Sequence, residues 1–243
     1  MVQAAAIAAQ LPGVPVKLLF NRQQDMQRDF YRPAGWHGFR AALDKGGKLT
    51  AFHDHFVTFG KDGKPVRSAE MSASEIPAGL IDTILLEQSF LSSNMPTGWL
   101  RAPGSNALAF VTQAFLDEVA QAAGKDLPTL MLELLDDPRE LPRGPNAPPF
   151  VTGRAKGVIE KVVAMSGWAD RAQLPKGRGK GFAFYYSHMG YFAEVLEVAL
   201  VDGMPKVATV WVAGDVGSQI INPMNALHQA QGSVIEGLGQ ALA

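Results

Sequence analysis

Proline fixes its own φ and cannot donate a ladder hydrogen bond, so a cluster of prolines limits what can fold across it. Residues 138–153, "PRELPRGPNAPPFVTG", hold five of the 16 prolines in this chain of 243 residues. They read as a connecting loop and not a folded element, dividing the chain into a first part at 1–137 and a second at 154–243. The total length suits one large domain or two small ones.

Each part carries its own periodicities. In the first, "VQAAAIAAQLPG" predicts a helix stopped by Pro12-Gly13, and "VPVKLLF" predicts a buried strand. "NRQQDMQRDFYRPAG" reads as loop with a helical turn. Trp36, Gly38, Arg40 and Ala42 alternate with His37, Phe39, Ala41 and Leu43 up to Lys45-Gly46-Gly47-Lys48, with a return strand over residues 49–59. That is a hairpin pattern. Residues 66–96 give no clear period. From Asn106 to Ala123, Leu108, Val111, Phe115, Val119 and Ala122 recur at helical spacing, and Gly124 is a stop residue. "LPTLMLELLDD" predicts a second, shorter helix.

In the second part, Val158, Val162 and Met165 mark one helix face. "PKGRGKG" reads as a basic turn, and "FAFYYS", "YFAEVLEVALV" and "KVATVWVAGDVG" as three strands, the last turn being Asp202-Gly203. The tail from residue 222 predicts a helix whose glycines imply close approach by neighbouring backbone. The fold class is therefore α+β, with mixed, largely antiparallel sheets and packed helices.

Composition removes several functions. With 22 basic against 23 acidic residues, no broad field attracts nucleic acid or an anionic membrane surface. The chain has no cysteine, so it offers no disulfide and no thiolate for a metal or an iron–sulfur centre. No run approaches the ~18 apolar residues of a membrane span.

The stretch "GWLRAPGSNALAF" places Arg101 on an Ala-Pro-Gly turn just ahead of a helix. Free N–H groups and the positive end of the helix dipole suit an anion, and Arg101 could add charge-assisted hydrogen bonds. The same residues also read as a Ser105 or Asn106 N-cap beside a solvated arginine. In "GDVGSQIINPMNALHQAQG", Asp215 or Asn222 could cap the last helix, and Gln229 lies two turns beyond Asn222. Its amide could donate to and accept from a heterocycle, or simply face solvent. His53 and His55 share a strand face as a metal pair or an ordinary half-exposed surface. Tyr186-Ser187 lacks a partnered base, and "KGRGKG" fits neither phosphate-loop nor dinucleotide patterns.

Four blocks in order, "PVKLLFNRQQDMQRDFYRP", "GWLRAPGSNALAFVTQAFLDEVAQAAGKD", "GFAFYYSHMGYFAEVLEVAL" and "GDVGSQIINPMNALHQAQGSVIEGLGQAL", resemble the large subunit of the xanthine dehydrogenase/aldehyde oxidase class of molybdenum hydroxylases. The branch they look most like is the isoquinoline 1-oxidoreductase β-subunit. The resemblance implies a pair of cofactor-binding regions holding molybdenum-molybdopterin cytosine dinucleotide. It implies that Arg101, Ala102 and Gly104 line the cofactor, that Gln229 hydrogen-bonds the pterin, and that Pro103 stands at the substrate-ring position, where many members have an aromatic. Asp215, Gly217, Asn222, Pro223, Gly232 and Gly237 match the surrounding framework.

The resemblance also implies absences. Glycine-rich cofactor blocks normally precede the "PVK" segment, and the general-base glutamate normally follows beyond Ala243. The chain then corresponds to an internal fragment with no catalytic residue or metal ligand of its own, inactive alone. The complete enzyme would oxidise N-heterocycles or aldehydes with water as oxygen donor, partnered by a small two-iron two-sulfur subunit, in cytoplasm or periplasm. The competing expectation is a non-catalytic interaction domain that keeps the scaffold without the cofactor.

Overall fold

The computed structural model describes residues 1–144 and 147–242; Pro145 and Asn146 of the proline-rich connector, and Ala243 of the tail, lie outside the described residues. The first hairpin turns where Gly47 sits at φ +75°, an angle that costs a residue with a side chain about 1 kcal/mol or more. Asp44 fixes the turn by accepting from the N–H groups of Gly46 (2.8 Å) and Lys48 (2.9 Å). Strands β1 (Gly35–Leu43) and β2 (Leu49–Lys61) pair antiparallel in the register that the alternation predicts. Phe52, Asp54, Phe56 and Thr58 are buried on one face of β2, two residues apart.

On its other side β2 takes β4 (Thr83–Leu91) in parallel, and the last residues of β2, Gly60 and Lys61, pair antiparallel with the short β3 (Lys64–Pro65). Residues 66–96 thus contain a strand that no hairpin signal announces. The sheet is largely, not wholly, antiparallel.

Two expectations for the N-terminal region fail. Helix α1 (Val2–Ala9) forms, yet "VPVKLLF" is not a buried strand: residues 14–20 have no regular structure, and Leu18, Leu19 and Phe20 are exposed. A strand needs a neighbour for its N–H and C=O groups, and no strand among the described residues pairs with this segment. Helix α2 (Arg22–Arg28) is a complete short helix with a capping box. Gln24 N donates to Asn21 Oδ1 (2.9 Å) and Asn21 N donates to Gln24 Oε1 (3.1 Å).

Helix α3 (Ser105–Ala122) lays Phe115 against Phe39 (4.7 Å between ring centres, stacked) and Phe52, which seats it on the first sheet. Leu108, Leu116, Val119 and Ala120 are buried, whereas Ala122 is exposed, because the face turns away in the last turn. Helix α4 (Leu127–Leu134) starts at Asp126, whose Oδ1 accepts from Thr129 N at 3.0 Å. Its Oδ2 accepts from Trp168 Nε1 (2.8 Å) and Arg171 (2.7 Å), tying that start to the 3₁₀ turn Trp168–Gln173.

The connector is more ordered than its prolines suggest. Strands β5 (Glu140–Leu141) and β6 (Phe150–Val151) pair antiparallel, and Phe150 is fully buried. Helix α5 (Thr152–Ser166) follows at once and ends at left-handed Gly167. Val158 and Val162 face the core, but Met165 is 46% exposed.

The second sheet is a plain meander, β7 (Arg178–Ser187), β8 (Gly190–Val201) and β9 (Met204–Asp215). Strand β7 begins inside the predicted basic turn. Phe184, Tyr191, Ala193 and Val195 are buried and join Leu116, Met131, Phe150, Ile159 and Val162 in one core that spans both parts of the chain. Helix α6 (Pro223–Leu242) ends the described chain and has no buried residue. Its glycines do not bring backbone close: a Cβ at Gly237 or Gly239 would meet nothing within 4 Å.

Candidate functional site

The turn before α3 is held from below by a residue that no sequence motif singles out. Arg32 donates to Ser68 Oγ, to Gly98 O (3.2 Å) and to Asn106 Oδ1 (3.2 Å). Asn106 Nδ2 in turn donates to Arg101 O (3.3 Å). Tyr31 adds two main-chain bonds, Tyr31 N to Pro96 O and Gly98 N to Tyr31 O, both 3.0 Å. A lone arginine in a polar segment looks like solvated charge; only the meeting of residues 32, 68, 98 and 106 gives it a role.

Neither residue predicted to cap α3 does so. Gly104 occupies the N-cap position, with no side chain to bond the first-turn N–H groups. Asn106 is spent on Arg32 and Arg101, and Ser105 Oγ lies 2.6 Å from Ser187 Oγ. Among the described residues no side chain caps the positive end of this 18-residue helix with a hydrogen bond. Ala102, three residues ahead of it, is left-handed at φ +55°, a conformation that costs a non-glycine residue about 1–2 kcal/mol. The Arg32 and Asn106 bonds hold that geometry in place.

Arg101 reaches across the fold to the last helix. One guanidinium nitrogen donates to Gln229 Oε1 (2.9 Å) and Gln229 O (3.2 Å), and the other to Glu236 Oε2 (3.1 Å). The two residues singled out in the sequence, 128 positions apart, therefore touch. Gly232 borders the same guanidinium, where an added Cβ would stand 3.7 Å from Nη1. The Arg101 and Glu236 side chains are 41% and 33% exposed, so water screens the pair, and its worth is below about 1 kcal/mol. An anion arriving at the uncapped helix end can take Glu236's place without a large penalty. Pro103 is half-buried in the same turn.

The β7–β8 turn closes the rim. His188 (φ 50°) and Met189 (φ 68°) are both left-handed, the two-residue geometry that matches strand twist. Ser187 Oγ lies 2.6 Å from His188 Nδ1, so the serine does have an imidazole beside it. No third group orients the far nitrogen of His188 among the described residues.

The remaining candidates find ordinary partners. Asn222 caps α6 by accepting from Asn225 N (3.1 Å). Asp215 pairs bidentately with Arg154 (2.8 and 2.6 Å), which holds its carboxyl below the usual carboxylate range. His53 meets Glu87 (2.7 Å) and His55 meets Ser89 (2.8 Å), each on β4. Among the described residues no three His, Asp or Glu side chains gather as a metal-holding group. No helix among them is long and apolar enough to cross a membrane.

Known proteins give these contacts a context. Two family models, each described as a molybdopterin cofactor-binding domain, match the chain, one over residues 1–132 and the other over residues 148–243. The chain is 27% identical over 268 residues to a membrane-bound aldehyde dehydrogenase (pyrroloquinoline-quinone) of Gluconacetobacter polyoxogenes, covering 100% of this chain and 34% of that protein. It spans about a third of that relative's length. The aldehyde oxidoreductase of Desulfovibrio gigas superposes with a TM-score of 0.46 at 17% identity, over 78% of this chain and 22% of the other.

Proposed function

Because the chain belongs to the molybdopterin cofactor-binding domain family, we propose that it forms a wall of the cofactor site in a molybdenum hydroxylase subunit of the isoquinoline 1-oxidoreductase β type. The observation that carries this is the Arg101–Gln229 contact, which joins the first matched region to the second. In this reading the parts at 1–137 and 154–243 are two cofactor-binding regions linked by 138–153.

The residues suit an anionic, heterocyclic group. Arg101 and the main chain of Ala102 and Gly104, at the uncapped end of α3, hold the anionic portion of molybdopterin cytosine dinucleotide. Gln229 offers a carbonyl and an amide to the pterin edge. Pro103 lies toward the substrate. When bound, the cofactor supplies oxidation of an N-heterocycle or aldehyde with water as oxygen donor. This chain contributes binding and orientation, takes no proton itself, and does not turn over alone. A small two-iron two-sulfur subunit is the proposed partner.

Surface area favours a larger assembly. The accessible surface is 15564 Å², against about 10,600 Å² for a compact monomer of 26.1 kDa. Much of the surplus lies on α1, residues 14–20 and α6, where Ile7, Leu19, Phe20, Leu227 and Ile235 are exposed. Such surface associates, and a scaffold that only binds other polypeptides, without cofactor, accounts for it too.

Equilibrium dialysis against molybdopterin cytosine dinucleotide separates the two readings. Saturable binding, weakened at least tenfold by Arg101→Ala with little change in Tm, supports the cofactor reading. Association that rises with protein concentration, without cofactor uptake, replaces it with the interaction reading. Preferential uptake of pyrroloquinoline quinone transfers the site to the cofactor named for the Gluconacetobacter relative.

A further inference from the structure

Helix α3 and strand β7 do not close on each other. Between them runs a groove of about 520 Å³, walled by Phe110 and Gln113 of α3, by Phe192 and Glu194 of β8, and by the β7 main chain from Lys180 to Tyr185. Strand β7 is at the edge of its sheet, so half of its backbone groups point away from β8. The tight turn makes Ser187–Gly190 a bonded pair, and every second residue back from it, Tyr185, Ala183 and Gly181, faces β8. The intervening Lys180, Phe182 and Phe184 turn their main chains to the groove.

One of those three is matched. Phe184 N donates to Gln113 Oε1 at 3.0 Å, which fixes the direction of the other two. Lys180 and Phe182 have no main-chain partner on that side among the described residues. Gln113 is only 6% exposed, and its Nε2 is buried without an acceptor. A buried amide donor left without a partner costs about 1–3 kcal/mol. Glu194 is half-buried at the groove, burial raises its carboxyl above the usual range, and it forms no ion pair among the described residues. Phe110 is 74% exposed.

We propose that this groove takes an extended segment of a partner polypeptide as a fourth strand on β7, with an apolar side chain against Phe110 and Phe192 and a Lys or Arg toward Glu194. The open backbone of Lys180 and Phe182 supplies main-chain hydrogen bonds, the mode by which peptides add to sheet edges. Adjacent strands sit about 4.8 Å apart. Because α3 lines the far side of the groove, the occupant we choose is a single strand and not the sheet of a second copy. A segment of about four residues, ~13 Å long, covers the free edge up to Gln113. The cofactor reading is not needed for any of this.

The test uses the purified chain with the probe acetyl-Val-Thr-Lys-Thr-Val-amide, whose Val and Lys side chains share one face. A control peptide carries Glu in place of Lys. Calorimetry should show saturable binding of the Lys peptide. Amide exchange at Lys180 and Phe182 should slow on binding, while the Ala183 and Tyr185 amides do not change. Glu194→Lys should weaken the Lys peptide at least tenfold and restore binding of the Glu peptide. If that variant does not fold, Glu194→Gln should weaken the Lys peptide severalfold. No binding, binding indifferent to residue 194, or unchanged exchange at Lys180 and Phe182 overturns the proposal. Protection of those amides by concentration-dependent self-association overturns its choice of occupant. Dialysis with the cofactor is a separate measurement, so either result can fail without the other.

Discussion

Two long helices of similar character end up in opposite situations. Helix α3 buries six of its 18 residues, Leu108, Thr112, Gln113, Leu116, Val119 and Ala120, between the two sheets. Helix α6 has 20 residues, comparable apolar spacing and none buried. Leu227 and Ile235 of α6 face solvent as fully as Leu116 of α3 avoids it. Periodicity marks the face a helix offers for cover. It does not say whether the chain itself provides the cover. Two cofactor-site candidates join these helices, since Arg101, one turn before α3, bonds Gln229 on α6 and also reaches Glu236 there.

The contrast is most easily broken by cavities. Leu116→Ala in α3 should cost about 3 kcal/mol in urea denaturation, since a fully buried leucine loses both transfer energy and packing. Ile235→Ala in α6 should change stability by less than about 0.5 kcal/mol. Equal losses would mean that α6 is covered in solution by something that its surroundings in this fold do not supply.

Arg32→Ala sharpens the same contrast at the site. Three hydrogen bonds disappear, two of them to the turn, and we expect a loss of about 2 kcal/mol with faster amide exchange centred on residues 97–106. Unchanged exchange there would remove Arg32 from its positioning role.

A smaller effect than that at Arg32 concerns the strand end that feeds α6. The Asp215 carboxyl is held below its ordinary value by Arg154 first, with Gly217 N–H adding to it. Its contribution is therefore complete above the ordinary carboxylate pKa of about 4 and lost as pH falls through the lower folded value. Asp215→Asn should cost about 1 kcal/mol at pH 7, a figure already reduced for solvent screening. The gap from the unmodified chain should shrink below pH ~4; a gap constant down to pH 2 would assign the loss to geometry and not to charge.

Legibility followed the range of the interactions. The first hairpin was readable because Gly46, Gly47 and the alternating apolar residues act within 25 positions of one another. So were α3, α4 and the β7–β8–β9 meander. Strand β4 was not, because its partner is 32 positions away in parallel, with no turn motif between. "VPVKLLF" has strand chemistry but pairs with no strand among the described residues. The connector misled in the other direction: its prolines leave two residues on each side free to pair, and Phe150 anchors them in the core.

The site was half legible. Arg101, Ala102, Gly104 and Gln229 stood out by residue type, by their place near helix starts and by resemblance, and two of them meet. Arg32, Ser187, His188 and Glu236 did not, since nothing local distinguishes a bonded polar residue from a solvated one.

By itself the sequence determined the α+β class, the hairpins, the long helix behind Arg101 and the absence of thiolate chemistry, because these depend on steric preferences and composition that act within a few turns of chain. The tertiary structure alone decided that Arg32 grips the turn, that Glu236 neutralises Arg101, and that the edge of β7 stays open. Those outcomes depend on which distant groups arrive within 3 Å or so of each other, and no local pattern carries that information.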